Sequence, residues 1–390
     1  MNNAKYVFSQ LVDFLPKRVF DGIVKCHNGD KWVKNLSCWN LLLIMMYGQL
    51  SNCDSLRELI CIIASQCKKS YHLGFGRGDI NRSTVSYANA NRCYKIFEEF
   101  AYHMISLAQS KKITRDFELR GKFYAFDSTT IDLCMSLYEW ALFRKSKSGI
   151  KVHTMFDVVT QIPVFIHITE AKVHDVKAMD EIPYEPNAFY IFDKGYYDLG
   201  RLYTIDSIAS YYIIREKVGL QYEVTDGENL LDGSDNILLD QTIRLTGYQT
   251  KKSYPAELRR IIYYAPELKR TFTYLTNNFT LKAKDVAMLY KQRWQVELFF
   301  KWMKGHLRIK SFWGNTENAV RIQMYAAIVT YCLVAIVEHD CQLNKTTFNV
   351  LRVLSHSLID KTPIPELFEN NETIEDVCTS TTQLKFDFVY

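Results

Sequence analysis

Residues 188–199 read AFYIFDKGYYDL, and residues 122–133 read KFYAFDSTTIDL. Each segment contains a run of apolar and aromatic residues that is typical of a buried β-strand. In the first segment the run is followed by Asp193 and breaks at Gly195, and in the second segment Asp127 lies at the centre. Each of these predicted strands therefore contains or leads into an aspartate.

The segments around these strands predict a mixed α/β sheet. KVHTMFDVV and VFIHITE are two further strand-like runs that are separated by TQIP, which predicts a hairpin. A short helix at AKVHDVKAMDEI, a helix near 198–209 and a strand at YYIIREK complete the pattern. The order β-β-β-α-β-α-β, opening with a hairpin and closing with crossovers, indicates a mixed sheet.

The flanking regions have different patterns. Residues 1–110 have mostly helical apolar spacing, and within them RSTVSYANANR at 82–92 follows a turn rich in glycine and arginine. A short helix, a turn and a helix that opens with Arg82 would suit a helix-turn-helix reader of DNA. A plain helical bundle explains the same pattern equally well, so both interpretations stay open.

Residues 219–279 contain alternating segments separated by Gly, Asp and Asn turns, which predicts an all-β insertion. We therefore predict four regions along the chain. They are a helical N-terminal DNA-binding domain at 1–115, a catalytic core at 116–218 and 280–345, the insertion at 219–279, and an acidic C-terminal segment at 346–390 for partner or dimer contacts.

The composition is that of a soluble globular protein with a sizeable core. The chain has 390 residues, of which 48% are hydrophobic and 23% are charged, and its net charge is +5. Residues 359–390 carry seven acids and two lysines, so the remainder is more basic than the total suggests. A basic body suits a polyanionic partner such as DNA, although a moderate excess of Lys is also common in proteins that bind nothing charged.

Cysteine usage and hydropathy predict a cytoplasmic protein that does not contact a membrane. The ten cysteines include no C-x-x-C pair, and several, such as Cys61, lie in apolar helical patterns. They are interpreted as buried reduced thiols and not as a zinc site or a disulfide framework. The N-terminus has no signal-peptide pattern. The uncharged run Ile322–Val337 is shorter than the ~18–20 residues that span a bilayer, which predicts a buried core helix.

Residues 290–304 read YKQRWQVELFFKWMK. On a single helix, four polar residues of this segment share one narrow strip with Lys301 beside it, and the apolar residues lie on the opposite side. The strip consists of Tyr290, Arg293, Glu297 and Lys304, and the apolar side consists of Val296, Phe299, Trp302 and Met303. Such spacing usually marks a solvated, salt-bridged face. The alternative is one carboxylate surrounded by donors that bind phosphate.

The two strand-end aspartates favour the alternative. Catalytic groups gather at strand ends in α/β sheets, so Asp127 and Asp193 converge if their strands are neighbours, and Glu297 could complete a trio. Carboxylates so close would raise one another's pKa unless divalent ions were bound. Mg²⁺ or Mn²⁺ suits such oxygen ligands, and two ions about 3.5–4 Å apart could activate an attacking oxygen and stabilise a leaving one. Taken singly, either aspartate is equally well explained as a turn-capping residue.

These residues resemble those of the DDE transposases of bacterial insertion sequences, specifically the insertion-sequence-four family with its Tyr-x2-Arg-x3-Glu-x6-Lys block. Tyr290, Arg293, Glu297 and Lys304 match all four positions of the block. FDST at 126–129 is similar to the family's first-aspartate motif, and FDKGY at 192–196 is similar to the second. The resemblance covers roughly 121–330, and RSTVSYANANR is also similar to the N-terminal region of many members.

The resemblance implies a ribonuclease-H-like core in which Asp127, Asp193 and Glu297 bind two Mg²⁺ ions. It also implies cut-and-paste transposition. Water nicks the end of the element, the freed 3′-hydroxyl forms a hairpin on the opposite strand, and after the hairpin is opened the same hydroxyl joins target DNA. The implied partners are the DNA of the element ends and of the target, held by a homodimer. The residues implied to hold phosphates near the cleaved end are Tyr290, Arg293 and Lys304.

Further candidates come from the neighbours of these motifs. Trp294 lies beside the polar strip and could stack on an unpaired base, but core packing is the favoured interpretation. Lys151 and His153 alternate along one strand face, so Lys151 is a candidate DNA contact and His153 a structural residue. Asp175 is a natural helix N-cap.

Two other functions remain open at this point. A DNA-binding regulator without catalysis would fit the basic N-terminal helices. A structure-specific nuclease on the same core would hydrolyse DNA without joining it.

Overall fold

The computed structural model of the protein describes residues 5–76, 78–111, 121–144, 147–228, 234–307, 309, 311–343 and 345–369. The last 21 residues of the acidic C-terminal segment predicted at 346–390 lie beyond residue 369 and therefore outside the described residues.

The described residues form thirteen α-helices and ten β-strands. The helices are α1 (Val7–Asp13), α2 (Lys17–Cys26), α3 (Cys38–Leu50), α4 (Leu56–Ser65), α5 (Cys67–Ser70), α6 (Arg82–Asn91), α7 (Tyr94–Lys111), α8 (Leu199–Ser207), α9 (Tyr248–Ser253), α10 (Ala283–Gln292), α11 (Trp294–His306), α12 (Glu317–Asp340) and α13 (Thr347–Ser357). The strands are β1 (Lys122–Leu133), β2 (Leu142–Arg144), β3 (Lys147–Asp157), β4 (Ile162–Glu170), β5 (Ala188–Phe192), β6 (Tyr211–Arg215), β7 (Tyr222–Glu228), β8 (Ile237–Leu245), β9 (Leu258–Ala265) and β10 (Arg270–Thr276). The predicted helix at AKVHDVKAMDEI is a 3₁₀ helix at Asp175–Glu181.

The chain divides into two compact units. Met1–Ala101 and Tyr325–Tyr390 form the first, as far as these residues are described, and Tyr102–Met324 form the second. The limits of the units fall inside α7 and α12. The four regions delimited from the sequence remain a prediction.

The first unit is helical, as predicted, and α3 lies at its centre. The segment CWNLLLIMMYGQL is apolar on all sides, and every residue of α3 except Asn40 is buried because a helix of this kind needs protein on every face. Ser37 begins the helix by accepting a hydrogen bond from the backbone N–H of Asn40 at 3.1 Å. Arg82 is the first residue of α6 and is exposed.

The second unit is built on a ten-stranded mixed sheet, which confirms the predicted mixed α/β class. Its path runs in the order β2-β3-β1-β5-β6-β10-β9-β8-β7, and β4 pairs with β3. The β3–β4 hairpin is antiparallel as predicted, β1 and β3 are also antiparallel, and β1, β5 and β6 run parallel. All five residues of β5 are buried, which explains why its sequence is continuously apolar.

The strands of the predicted insertion continue this sheet. β10 pairs antiparallel with β6, and β9, β8 and β7 follow beyond it. The prediction that 219–279 is all-β is wrong, because α9 lies between β8 and β9. The helix begins after Gly247, whose carbonyl accepts the N–H of Lys251 at 2.8 Å, and it leads into the fully buried Tyr254. Tyr254 packs edge-on against Tyr212 of β6 with ring centroids 6.3 Å apart.

Two predictions about apolar helices had different outcomes. Among the described residues, one helix, α12, is long and apolar enough to cross a membrane by length and composition, but 94% of its most apolar window is buried within the protein, as predicted for a core helix. Cys61 was predicted to be buried and is exposed. In α4 the buried stripe consists of Leu56, Leu59 and Ile63, and helical geometry turns Cys61 away from it.

Candidate active site

Asp127 and Asp193 occupy neighbouring backbone positions where the pairing of β1 with β5 ends. β1 and β5 are parallel neighbours with Phe126 opposite Phe192, and the two aspartates are the next residues on the two strands. β5 ends at Phe192, and Asp193 leads into a tight turn at Lys194–Tyr196. The two strands are therefore neighbours, which is the condition under which we expected the aspartates to converge. Asp193 follows the carboxyl end of β5, and Asp127 lies at the centre of β1, directly after the last residue that pairs with β5.

The segment that carries Glu297 is two helices and not the single helix predicted for 290–304. α10 ends at Gln292 and α11 begins at Trp294. The N–H of Arg293 donates to the carbonyl of Tyr290 at 3.0 Å, and the N–H of Val296 donates to the carbonyl of Arg293 at 3.2 Å. Bonds between residues three apart tighten the chain at this point and interrupt the α-helical ladder. The apolar side is nevertheless mostly confirmed, since Val296, Phe299 and Met303 are buried.

The guanidinium of Arg293 joins the strand to the helix. Its Nη1 donates to Asp127 Oδ2 at 2.9 Å, and its Nη2 donates to Glu297 Oε1 at 2.5 Å. Only 15% of the Arg293 side chain is exposed. Its Nε is buried and has no hydrogen-bond partner among the described residues. Arg293 therefore bridges two carboxylates with one positive charge, and its Nε–H is left unpaired among the described residues.

Asp193 is held from α10. The hydroxyl of Tyr290 donates to Asp193 Oδ1 at 3.4 Å, and the Tyr290 ring packs on Tyr274 with centroids 4.6 Å apart. Burial raises the pKa of Tyr290, and the negative charge of Asp193 also raises it. The phenol therefore stays protonated and acts as a donor.

The environment of Asp127 opposes its ionisation. Burial raises the pKa of Asp127 to about 6, although Arg293 and the backbone N–H of Ser128 both lower it. The negative charges of Glu297 and Asp193 raise the pKa further. Repulsion among the three carboxylates, expected from the sequence, therefore acts in this structure.

A cavity of about 580 Å³ opens beside these residues. This volume is typical of a ligand site. Lys304 lies at its wall and donates from Nζ to the carbonyl of Thr130 at 2.9 Å, whereas Lys301 is exposed. The lining residues are Asp127, Ser128, Thr129, Glu297, Phe300, Lys301, Lys304 and Gly305.

The chemistry of the trio suits a hard divalent ion, but its spacing in this structure is not that of a formed metal site. Asp127, Asp193 and Glu297 offer only oxygen ligands, as Mg²⁺ and Mn²⁺ prefer. Across the part of the chain that the structure describes, no group of three His, Cys, Asp or Glu side chains lies close enough together to hold an ion. Two of the carboxylates bind Arg293 and the third accepts from Tyr290, so these bonds would be exchanged for bonds to a metal.

Four other candidates lie in different surroundings. Trp294 is 40% exposed at the start of α11, so the core-packing interpretation is wrong. Lys151 is largely buried and donates from Nζ to the carbonyl of Val173 at 2.8 Å. His153 is fully buried and its Nε2 lies 3.0 Å from the hydroxyl of Thr169, as predicted for a structural histidine. Arg82 belongs to the first unit.

Sequence reasoning did not single out Arg215. β6 is the parallel neighbour of β5 with Ile214 opposite Phe192, so Arg215 is the next residue beside Asp193. Its guanidinium carbon lies 5.1 Å from the centre of the Phe272 ring, and its charge lowers the pKa of Tyr290. The signal available in the sequence was YYIIR, in which a cation follows an apolar strand as Asp193 does.

With this geometry in view, the comparisons with known proteins identify the family. A family model described as "Transposase DDE domain" matches residues 119–333, more than half of the chain. The chain belongs to the DDE transposase family. Residues 3–76 of this DDE transposase match a second model, described as a domain of unknown function (DUF4372).

Similar proteins carry the same description. The DDE transposase is 34% identical over 268 residues to a putative transposase of Sinorhizobium fredii, covering 68% of the chain and 73% of the relative. It is 26% identical over 297 residues to a probable transposase for an insertion sequence element of Geobacillus stearothermophilus, covering 74% and 78%. These matches confirm a DDE transposase of insertion sequences, and the insertion-sequence-four family stays a prediction.

A solved structure of the piggyBac transposase synaptic complex with hairpin DNA has a TM-score of 0.45 and 11% identity, covering 95% of this chain and 82% of the other.

The raised pKa of Asp127 predicts how stability depends on pH. The pKa of Asp127 is about 6 in the folded protein, against 3.8 for an ordinary aspartate, which we take for the unfolded chain. As pH rises from 3.8 to 6, the unfolded chain therefore releases the Asp127 proton before the folded protein does, and the free energy of unfolding falls. Asp127→Asn cannot ionise and escapes this loss. We expect the metal-free variant to gain up to about 3 kcal/mol relative to wild type between about pH 4 and about pH 7.5, as measured by urea unfolding.

The control is Asp132→Asn, which changes an exposed aspartate on the same strand. Its stability relative to wild type should be the same at both pH values. If the free energy of unfolding of Asp127→Asn differed from that of wild type by the same amount at both pH values, burial would not oppose the ionisation of Asp127.

Proposed function

We propose that this DDE transposase binds the terminal inverted repeats of its insertion sequence, cuts the DNA by metal-dependent hydrolysis and transesterification, and joins the 3′-hydroxyl ends to target DNA. Asp127, Asp193 and Glu297 are the proposed ligands of two Mg²⁺ ions, for which Mn²⁺ could substitute. When bound, the ions would activate the attacking oxygen and stabilise the leaving oxygen. The proposed route passes through a hairpin.

The register of the parallel strands carries this proposal. With Phe126 opposite Phe192, the two aspartates are adjacent at one sheet edge, and Glu297 reaches Asp127 through the shared guanidinium of Arg293. Asp127 and Glu297, which are 170 positions apart in the sequence, both line the cavity of about 580 Å³. Ion pairs with a purely structural role would not require Asp193 as a third carboxylate, because its negative charge further opposes the ionisation of the buried Asp127.

The cations around the trio have proposed roles in holding the cleaved DNA end. The buried Nε of Arg293 is unpaired among the described residues. Its guanidinium could donate hydrogen bonds to a phosphate in place of one of the two carboxylates. Lys304 and Lys301 line the same cavity and would act as point charges on phosphates. Tyr290 would orient Asp193 as well as the DNA. We add Arg215 to this set because its strand register sets it beside Asp193.

The proposal has four further elements. The order β4-β3-β1-β5-β6 supports a ribonuclease-H-like core. The exposed start of α6 supports DNA binding by the N-terminal region through Arg82, whereas Lys151 is a weaker candidate because its amine is already engaged. A homodimer would hold two element ends in one complex. The molecular mass of the protein–DNA complex would show whether it contains two copies of the chain. The site of action would be the bacterial cytoplasm, at the nucleoid.

Cleavage and joining assays test the proposal. With Mg²⁺ and a DNA that carries the element's own ends, the purified protein should produce a double-strand break and then products joined to target DNA. Asp127→Ala, Asp193→Ala and Glu297→Ala should each slow cleavage by at least about 100-fold, because each removes a metal ligand. DNA binding, followed by gel shift, should be largely retained.

Asp132→Ala is the matched control, since it removes an exposed carboxylate from the strand that carries Asp127, and it should cut as wild type does. Normal cleavage by an alanine variant of the trio would refute the site assignment. Cut ends without joined products would identify a nuclease. Binding without any metal-dependent cleavage would favour a regulator.

A second test concerns the proposed contacts to the cleaved end. Arg215→Ala should weaken binding of a pre-cut end and reduce the slope of log affinity against log salt by about 1, as expected when one phosphate contact is lost. Trp294→Ala should reduce affinity by about 10-fold for ends with an unpaired base but not for fully paired DNA, since stacking needs a free base face.

Arg270→Ala is the control for Arg215→Ala. Arg270 also lies against the Phe272 ring, at 5.8 Å, but it begins β10 and is exposed. If the two arginine variants lowered the salt slope equally, Arg215 would have no specific role at the site. If Trp294→Ala bound both DNAs as wild type does, the stacking role would be wrong.

A further inference from the structure

Ser128 connects Asp127 to a fourth carboxylate that the proposed mechanism does not use. Its backbone N–H donates to Asp127 Oδ1 at 2.8 Å, and its hydroxyl donates to Asp175 Oδ1 at 2.7 Å. Asp127 Oδ2 is held separately by Arg293. The orientation of Asp127 therefore depends on Arg293 from one side and on Ser128 from the other.

Asp175 is fixed by a second strand. Lys151 Nζ lies 3.2 Å from Asp175 Oδ1 and donates to the carbonyl of Val173 at 2.8 Å. In the antiparallel pairing of β1 with β3, Ser128 is opposite His153, so the serine and the lysine approach Asp175 from adjacent strands. His153 Nδ1 is 3.9 Å from the same carboxylate oxygen.

This arrangement is not the N-cap that the sequence predicted. His174 is the N-cap of the 3₁₀ helix Asp175–Glu181, and no side chain caps that end. The Asp175 carboxylate is turned from its own helix towards β1 and β3. If Asp175 served only to begin this short helix, its carboxylate would not need to bind Ser128 and the largely buried Lys151.

We propose that Asp175 is a positioning residue for Asp127, acting through the Ser128 hydroxyl, with Lys151 fixing Asp175. The inference rests on the proposed function, because it gives Asp127 a role at the reacting site. Asp175 holds Ser128, and Ser128 holds one oxygen of Asp127 so that the other remains directed at Arg293 or at an exchanging ligand. Outer partners of this kind commonly set the geometry and affinity of a metal site.

Asp175→Ala tests the proposal. Relative to wild type, we expect the variant to cleave element ends about 10- to 100-fold more slowly and to bind Mn²⁺ alone about 10-fold more weakly by calorimetry without DNA. The affinity for element ends should be unchanged. Asp175→Asn keeps an acceptor for the Ser128 hydroxyl and should recover most of the rate, which a general structural defect would not predict.

Ser128→Ala removes the hydroxyl that donates to Asp175, and with it the link through Ser128, but keeps the backbone N–H that donates to Asp127. It should slow cleavage as much as Asp175→Ala does, and the double variant should be no slower than either single one, because both break the same link. Asp180→Ala is the control. Asp180 lies on the same 3₁₀ helix but pairs with Arg201 at 2.7 Å, and its loss should alter neither rate nor Mn²⁺ affinity.

Wild-type cleavage and Mn²⁺ affinity in Asp175→Ala would overturn the proposal, as would additive losses in the double variant. A thermal unfolding midpoint that falls equally in Asp175→Ala and Asp175→Asn, together with equal loss of activity, would assign Asp175 to stability alone. If Asp127→Ala itself cleaved normally, the proposed function would fail independently of this link.

Discussion

In the metal-free protein, the arrangement of the candidate site depends on the bonds from Arg293 to Asp127 and Glu297. Three carboxylates gather where the pairing of β1 with β5 ends, and without a compensating charge their repulsion would disfavour their ionised forms. The guanidinium supplies this charge at 2.9 Å and 2.5 Å, from the point where the helical segment is interrupted. Even so, burial keeps the pKa of Asp127 raised, which is typical of a site arranged for chemistry at some cost in stability.

The register of β1, β5 and β6 determines which side chains lie next to one another at the candidate site. In the parallel set β1, β5 and β6, the last paired residues are Phe126, Phe192 and Ile214, and the residues after them are two aspartates and Arg215. A shift of one residue would turn these side chains to the other face. The buried aromatic residues of β5 therefore do more than form the core, since they fix the register that brings Asp193 to Asp127.

The sequence predicted the parts of the site that depend on local pattern. Asp127 and Asp193 follow continuous apolar runs, and Glu297 lies in a block with clear spacing, so each was identified without a structure. Arg215 was not, because its place follows from the pairing of β6 with β5. The interruption at Arg293 has no glycine or proline to indicate it, and the union of the insertion with the core sheet depends on β10 pairing with β6. Such long-range pairings are set by tertiary packing and not by local sequence.

Anomalous diffraction from crystals of the protein bound to a cleaved element end and soaked in Mn²⁺ gives the most direct measurement. The predicted result is Mn²⁺ bound by carboxylate oxygens of Asp127, Asp193 and Glu297, with at least one of the two Arg293 ion pairs broken. Mn²⁺ bound elsewhere, or no bound Mn²⁺ while both Arg293 ion pairs remain intact, would contradict the assignment of these carboxylates as the metal-binding centre.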